Sequence, residues 1–378
     1  MTSRDTAAPR LPWNAANPYP YYERHRADGD VVWDDVAGAW LILGYHAAKS
    51  ILVGEGWTSV PPPSPAFDAD LMRHNMLTTD GANHGRLRHG VRDVFSRSFV
   101  TGLEEGIEAI AAQTIDGVPA HAPFDFMAEI ALPFPLTVAS AWLGLEPDSA
   151  RLLRDESPAI SRMLSDAADP AAVQGGTAAV ATLLTDLLPL AADRRRYPGD
   201  DLLSYIAADP DLELEDVVTT AVVIAVAGHE TTANLLGAAI IRLAARPSET
   251  VDDRLVTELL RLDGPVQAVG RTATRDQLID GVAIADGDPA LVVLAAANRD
   301  PAVFEHPEEF QTDRQGSAPL TFGHGAHYCL GAALARLEIR IALEHILVRK
   351  PTLRGSPIWR DTPAIRGPQT LSMVFATP

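Results

Sequence analysis

Residues 320–338 read LTFGHGAHYCLGAALARLE, and they hold Cys329, the one cysteine of the 378-residue chain. Leu330, Leu334, Leu337 and Ile341 follow at spacings of four, three and four, which is one face of a helix. Cys329 is therefore expected at or just before a helix N-terminus, where unpaired backbone N–H groups and the positive dipole end favour thiolate over thiol. Gly323, Gly325 and Gly331 let the backbone take positive φ or lie against a bulky group. A lone cysteine is commonly no more than a small buried hydrophobe. Here the glycine loop, the helix start and nearby His327 together point to a thiolate ligand site. Zinc held by His324, His327 and Cys329 would lack a fourth ligand nearby, and no local signature supports a cysteine hydrolase.

The rest of the chain narrows the choice. A single cysteine excludes an internal disulfide. With 47% hydrophobic and 21% charged residues the composition is globular. The net charge of −19 opposes nucleic-acid binding and suits a cytoplasmic protein. The polar, Pro-rich N-terminal segment has no apolar signal core. The most apolar stretch, Val217 to Ala245, contains His229, Glu230, Asn234 and Arg242, so it reads as a buried core helix and not a membrane span.

No linker divides the chain, and a single domain over 1–378 is expected, with 1–17 extended. Helical spacing dominates 84–265 and recurs over 330–348, whereas 28–53 and 265–378 are β-rich. Residues 54–76 read as a long loop rich in proline. SRMLSDAADPAAVQ (161–174) reads as helical, and DGVAIADGDPALVVLAAAN (280–298) as short strands and turns. The fold class is mainly α with a smaller β portion.

FGHGAHYCLG (322–331) resembles the haem-binding loop of the cytochrome P450 family, usually written FGxGxHxCxG, with every fixed position present. The resemblance implies that Cys329 is the axial ligand of haem b (iron protoporphyrin IX), a ligation that favours O–O cleavage. It implies that Phe322 packs near the sulfur, with Gly323 and Gly331 beside the cofactor, and that His327 reaches a haem propionate. The haem is expected between a long central helix and the cysteine-bearing loop and helix.

Other segments are similar to the same family. AGHETT (227–232) resembles its oxygen-activating helix, with Glu230 as acid and Thr231 as alcohol. The Thr231 hydroxyl, four residues after Ala227, can compete for the Ala227 carbonyl and loosen the helix locally. Glu230, in apolar surroundings, is expected to relay protons with Thr231. ELLR (258–261) alone is an ordinary surface pair; by position it is similar to the family's ExxR motif, with Arg314 completing a buried cluster of Glu258, Arg261 and Arg314. HGRLR (84–88) and VGRTA (269–273) make His84, Arg88 and Arg271 the implied propionate partners. Many relatives carry a histidine three residues before the loop phenylalanine, where this chain has Pro319.

The substrate pocket, by family position, is expected from Val223, Val226, Val266, Ala268, Val269, Trp57, Phe67, Met72 and Pro368. The resemblance implies a monooxygenase that inserts one atom of O2 into a small, largely apolar organic substrate. Nothing in the sequence binds nicotinamide or flavin. The electron donor is therefore expected to be a separate ferredoxin with its reductase, or a flavodoxin-type protein, docking near Arg92, Arg97, Arg336 or Arg340. A monomer is expected, with no membrane association. The alternatives are a peroxide-driven peroxygenase and a haem protein that binds a ligand without oxidising it.

Overall fold

The computed structural model describes residues 13–61, 72–167, 169–246 and 250–377. Its axis is a 30-residue helix, Leu214–Leu243, apolar on nearly every side, as befits a helix surrounded by others. A capping box fixes its start: the Glu213 side chain accepts from the backbone of Asp216, and Asp216 accepts the Glu213 N–H at 2.9 Å. Buried Asp216 also accepts from Arg86 and bonds His74, each at 2.6 Å, tying the Gly81–His89 helix to that start.

Helices Pro133–Leu143, Pro170–Arg196, Asp253–Asp263 and Ala332–Val348 pack around the central one. One apolar cluster joins Ile115, Phe134, Leu236, Leu259 and Ile341; another joins Leu87, Leu183, Leu203 and Val218. Each such fully buried side chain stabilises the fold by about 1.5–3 kcal/mol. Among the described helices, Pro170–Arg196 and Leu214–Leu243 are long and apolar enough to cross a membrane, but 72% of the latter's most apolar window is buried inside the protein.

The strands are β1 (Val31–Asp34), β2 (Ala39–Ile42), β3 (Trp57–Thr58), β4 (Phe124–Asp125), β5 (Val269–Ala273), β6 (Gln277–Ile279), β7 (Val282–Ile284), β8 (Pro289–Val292), β9 (Pro351–Leu353), β10 (Ile358–Trp359), β11 (Pro368–Thr370) and β12 (Ser372–Phe375). The main sheet runs β1-β2-β8-β5-β3. Its β1–β2 hairpin pairs parallel with β8, setting Leu41 opposite Leu291. A small sheet runs β4-β12-β9, and β6-β7 and β10-β11 are two-stranded. The sheets thus join both ends of the chain.

The structure departs from the sequence expectations in four places. β3 and β4 lie where loop and helix were expected. Leu294–Ala297 is a helical turn and not a strand, consistent with the helix preference of its three alanines. The run 161–174 is split. One helix, Pro147–Ser165, ends there, and Asp169 caps the next by accepting the Ala171 N–H at 3.0 Å. Pro170, at the first helical position, lacks the N–H that a continuous helix would need.

Glu258 and Arg261 are 3% and 2% exposed. The Arg261 guanidinium donates to both Glu258 carboxylate oxygens, at 2.8 and 2.7 Å, and to the carbonyls of Asn298, Pro307 and Glu309. Arg314 Nε lies 3.5 Å from Glu258, and the Gln311 N–H donates to it at 2.9 Å. Breaking such a buried pair strands a charge and three carbonyls. Arg261→Leu should destabilise the protein by about 3–5 kcal/mol in denaturant unfolding. Arg275→Ala, which removes the exposed Arg275–Glu55 pair, should cost less than about 1 kcal/mol. Equal losses would show that the clamp is not the structural element argued here.

Candidate active site

Short turns at Leu320–Phe322 and Gly325–His327 lead to Cys329, and Gly331 caps the Ala332–Val348 helix. The loop is pinned from below. Asn298 accepts the Leu320 N–H at 2.6 Å and donates to Thr321 Oγ1 at 2.9 Å, and Thr321 donates to the Leu260 carbonyl at 2.7 Å. The Cys329 N–H closes the loop on the Phe322 carbonyl at 2.8 Å. Gly325 has φ +74°, and a Cβ there would lie 2.4 Å from the Leu52 carbonyl oxygen, so only glycine fits. Gly331 needs no special φ, and a Cβ there would meet only Phe95, at 3.9 Å. Phe322 packs on the Ile341 side of the core and under the Arg336 guanidinium.

The helix start does not by itself produce a thiolate. Burial pushes the Cys329 thiol up, more than the Gly331 N–H and Arg88 pull it down. The anion therefore requires a further positive partner, which a bound metal supplies.

His84, Arg88, Arg271 and His327 gather beside this loop. The His84 and His327 rings stack at 4.0 Å. His84 is buried, its Nε2 has no partner among the described residues, and its pKa falls to about 4 through burial and the neighbouring His327 and Arg88. Arg88 donates to the Tyr328 carbonyl at 2.9 Å and Arg271 to its own Gly270 carbonyl. Desolvation lowers both guanidinium pKa values, and neither ion-pairs with a carboxylate among the described residues. His327 Nε2 meets Asp80 at 2.7 Å and Ser59 at 2.9 Å. Asp80, whose pKa lies below the usual carboxylate range, also accepts from Thr58, at 2.6 Å. Sequence reasoning missed Asp80; its place at the start of the HGRLR helix was the available signal.

On the central helix, the Thr231 hydroxyl donates to the Ala227 carbonyl at 2.6 Å, though the helix continues unbroken. Ala227 and Gly228 carry open surface between buried turns, and a Cβ on Gly228 would meet nothing within 4 Å. Glu230 is not in purely apolar surroundings: it accepts from Arg360 Nη1 at 2.7 Å and from Ser161. Burial raises its pKa more than these two lower it. Neither partner was named from the sequence.

The expected pocket residues divide. Val223, Val266, Val269 and Met72 are half-buried. Val226, Trp57 and Ala268 are instead core residues: Val226 in the helical cluster, Trp57 beside Tyr45 and Ala273, and Ala268 beside Trp13 and Tyr22. Pro368 is buried near Gly237 and Met127. Phe67 lies outside the described residues.

The family profile of cytochrome P450 matches residues 250–349. The cytochrome P450 monooxygenase PikC of Streptomyces venezuelae is 36% identical over 391 residues, spanning 94% of this chain and 91% of that protein. Cytochrome P450 107B1 of Saccharopolyspora erythraea is 36% identical over 365 residues, 88% of each chain. The chain belongs to the cytochrome P450 family. It also superposes, with a TM-score of 0.87 at 25% identity, on the crystal structure of P450BioI in complex with an acyl carrier protein ligated by hexadec-9Z-enoic acid, covering 96% of this chain and 99% of that one.

A P450 binds haem, and the residues present fit one. The orphaned His84 Nε2, the two guanidiniums lacking acids, the open surface at Ala227 and Gly228, and a cysteine that needs a positive partner suit an iron porphyrin dianion. Arg271→Leu should speed haem loss roughly tenfold or more, because a charge-assisted bond contributes about 1.5–3 kcal/mol; transfer to an apo-globin measures this, and an unchanged rate would remove Arg271 from the cofactor's partners.

The cysteine helix carries a second titrating group. Burial pushes Glu338 up to about 8, against a hydrogen bond to Thr232 of the central helix. The folded protein therefore keeps a proton that the unfolded chain releases. This contribution is fully present below the unfolded carboxyl's pKa and is lost as pH rises through about 8. Glu338→Gln should flatten the fall in melting temperature between about pH 5 and 8; an unchanged slope would place the proton elsewhere.

Proposed function

We propose that this P450 monooxygenase uses haem b to oxidise a small, largely apolar organic substrate, as a cytoplasmic monomer supplied by a ferredoxin with its reductase or by a flavodoxin-type donor. When bound, haem ligated by Cys329 supplies the oxygen-activating chemistry. His84, Arg88 and Arg271 are positioned to bind the propionates. His327, held by Asp80, orients the loop and His84 between them. The half-buried Val223, Val266, Val269 and Met72, with the open face of Ala227, offer an apolar wall for the substrate.

The observation that carries the reading is the alcohol–acid pair at the open turn of the central helix. Thr231 holds its hydroxyl at the Ala227 carbonyl, and Glu230 stands next in sequence with its carboxylate buried. Together they can hold and pass protons beside that open turn. For donor docking, Arg97 is exposed and Arg336 bonds only neutral groups, whereas Arg92 is paired with Asp93 and Arg340 with Glu104 and Glu344. The first two are therefore the better docking cations.

Apolar compounds that shift the haem absorption band on titration provide the test substrates. With a surrogate ferredoxin system, Thr231→Ala should cut product per O2 consumed by roughly 10²-fold while peroxide release rises. A fully coupled Thr231→Ala enzyme, or peroxide alone sustaining turnover as fast as the donor system, would overturn the proton-handling assignment.

A further inference from the structure

Resting on the reading of Glu230 as the proton-handling acid, we propose that Arg360 is the positioning residue of this relay: its guanidinium holds the Glu230 carboxylate in place, as an anion, at the middle of the central helix.

The two residues lie 130 positions apart, and Nη1 meets Oε2 at 2.7 Å. The Glu230 side chain is 4% exposed and that of Arg360 21%, so the pair is screened far less than a surface pair. Arg360 follows β10 directly and is held by a stitched turn. Its N–H donates to the Gly367 carbonyl at 3.1 Å, Thr362 Oγ1 donates to the Ile365 carbonyl, and the N–H groups of Gln267 and Arg366 donate to Ala364 and Pro265. Val266 bridges to Ile365. The turn also abuts the central helix: a Cβ on Gly367 would sit 2.0 Å from Asn234 Oδ1. Arg360 is thus presented by an element fixed both to Val266, a substrate-wall residue in the reading above, and to the helix that bears the acid.

The groups acting on Glu230 are few. His229, its neighbour in sequence, adds no charge, because burial lowers its pKa to about 4. From the Pro147–Ser165 helix comes the Ser161 hydroxyl, and from the C-terminal turn Arg360. Glu338, on the cysteine helix, meets Thr232 instead. Arg360 is the only full charge among these partners. It opposes the burial, which favours the protonated acid.

The test uses the haem-loaded enzyme with carboxyl-labelled glutamate, read by infrared titration, with Glu230→Gln assigning the Glu230 band. In Arg360→Gln the Glu230 midpoint should rise by about one pH unit or more, and Arg360→Lys should return it toward wild type. The melting-temperature gap between wild type and Arg360→Gln should widen as pH rises through the wild-type midpoint, and this widening should vanish in the Glu230→Gln background. Should Arg360→Gln not fold, Arg360→Met fills similar space without charge and carries the same comparison. A midpoint equal to wild type in the charge-free variant overturns the inference. The parent reading fails separately, if Glu230→Gln leaves product per O2 unchanged on an identified test substrate.

Discussion

Arg261, itself buried, spends every N–H of its guanidinium on a partner. Two donors neutralise Glu258 and the others hold carbonyls of a segment, 298–309, that has little regular structure. A charge so deep is tolerated only when fully paired, and the pairing gives this irregular stretch a defined shape. Asn298, whose carbonyl Arg261 fixes, uses its side chain to hold both Leu320 and Thr321. The position of the cysteine loop is thus inherited from an ion pair on a helix some seventy residues earlier in the chain. That is why residues with no chemical role constrain the site so tightly.

The pocket has its own electrostatic imbalance. The chain carries a net charge of −19, yet His84, Arg88 and Arg271 gather where desolvation disfavours them. Asp80 offsets this only in part: its charge favours the protonated forms of Arg271 and His84, while its oxygens bond Thr58, Ser59 and His327. Its hydrogen bonds also join β3, the HGRLR helix and the cysteine loop. The Arg88 and Arg271 guanidiniums are left as a binding potential that an anionic cofactor would satisfy, with neutral His84 beside them as a hydrogen-bonding group.

The legible parts of the sequence were those where one residue type at one spacing has a single physical use. The loop around Cys329 and the Ala227–Thr231 spacing are of this kind, and the hydroxyl–carbonyl bond sits where that spacing places it. The ExxR pair was legible only through its place in the chain, since two charges one helical turn apart usually face water. Arg360 gave no local signal, because its partner lies 130 residues away and nothing around it distinguishes a buried arginine from an exposed one. The pocket has the weakest signal in the sequence. Trp57, Val226 and Ala268 are apolar, and apolar residues look alike in sequence whether they line a cavity or fill a core.

The helix beside the acid carries a further consequence. Ser157, Ser161 and Ser165 recur at intervals of four, all buried, on the face of the Pro147–Ser165 helix that meets His229 and Glu230. A purely structural contact between two helices would be apolar there, since each buried hydroxyl must find a partner or cost stability. Ser165 bonds the Ser161 carbonyl at 2.7 Å, and Ser157 lies 3.4 Å from His229 Nδ1, while the Leu132 backbone bonds His229 from the other side. The contact beside Glu230 is therefore a polar strip, made of hydroxyls and an imidazole that can each accept or donate a proton. Hydroxyls take the place of apolar packing there, on the face nearest the acid to which proton handling is assigned.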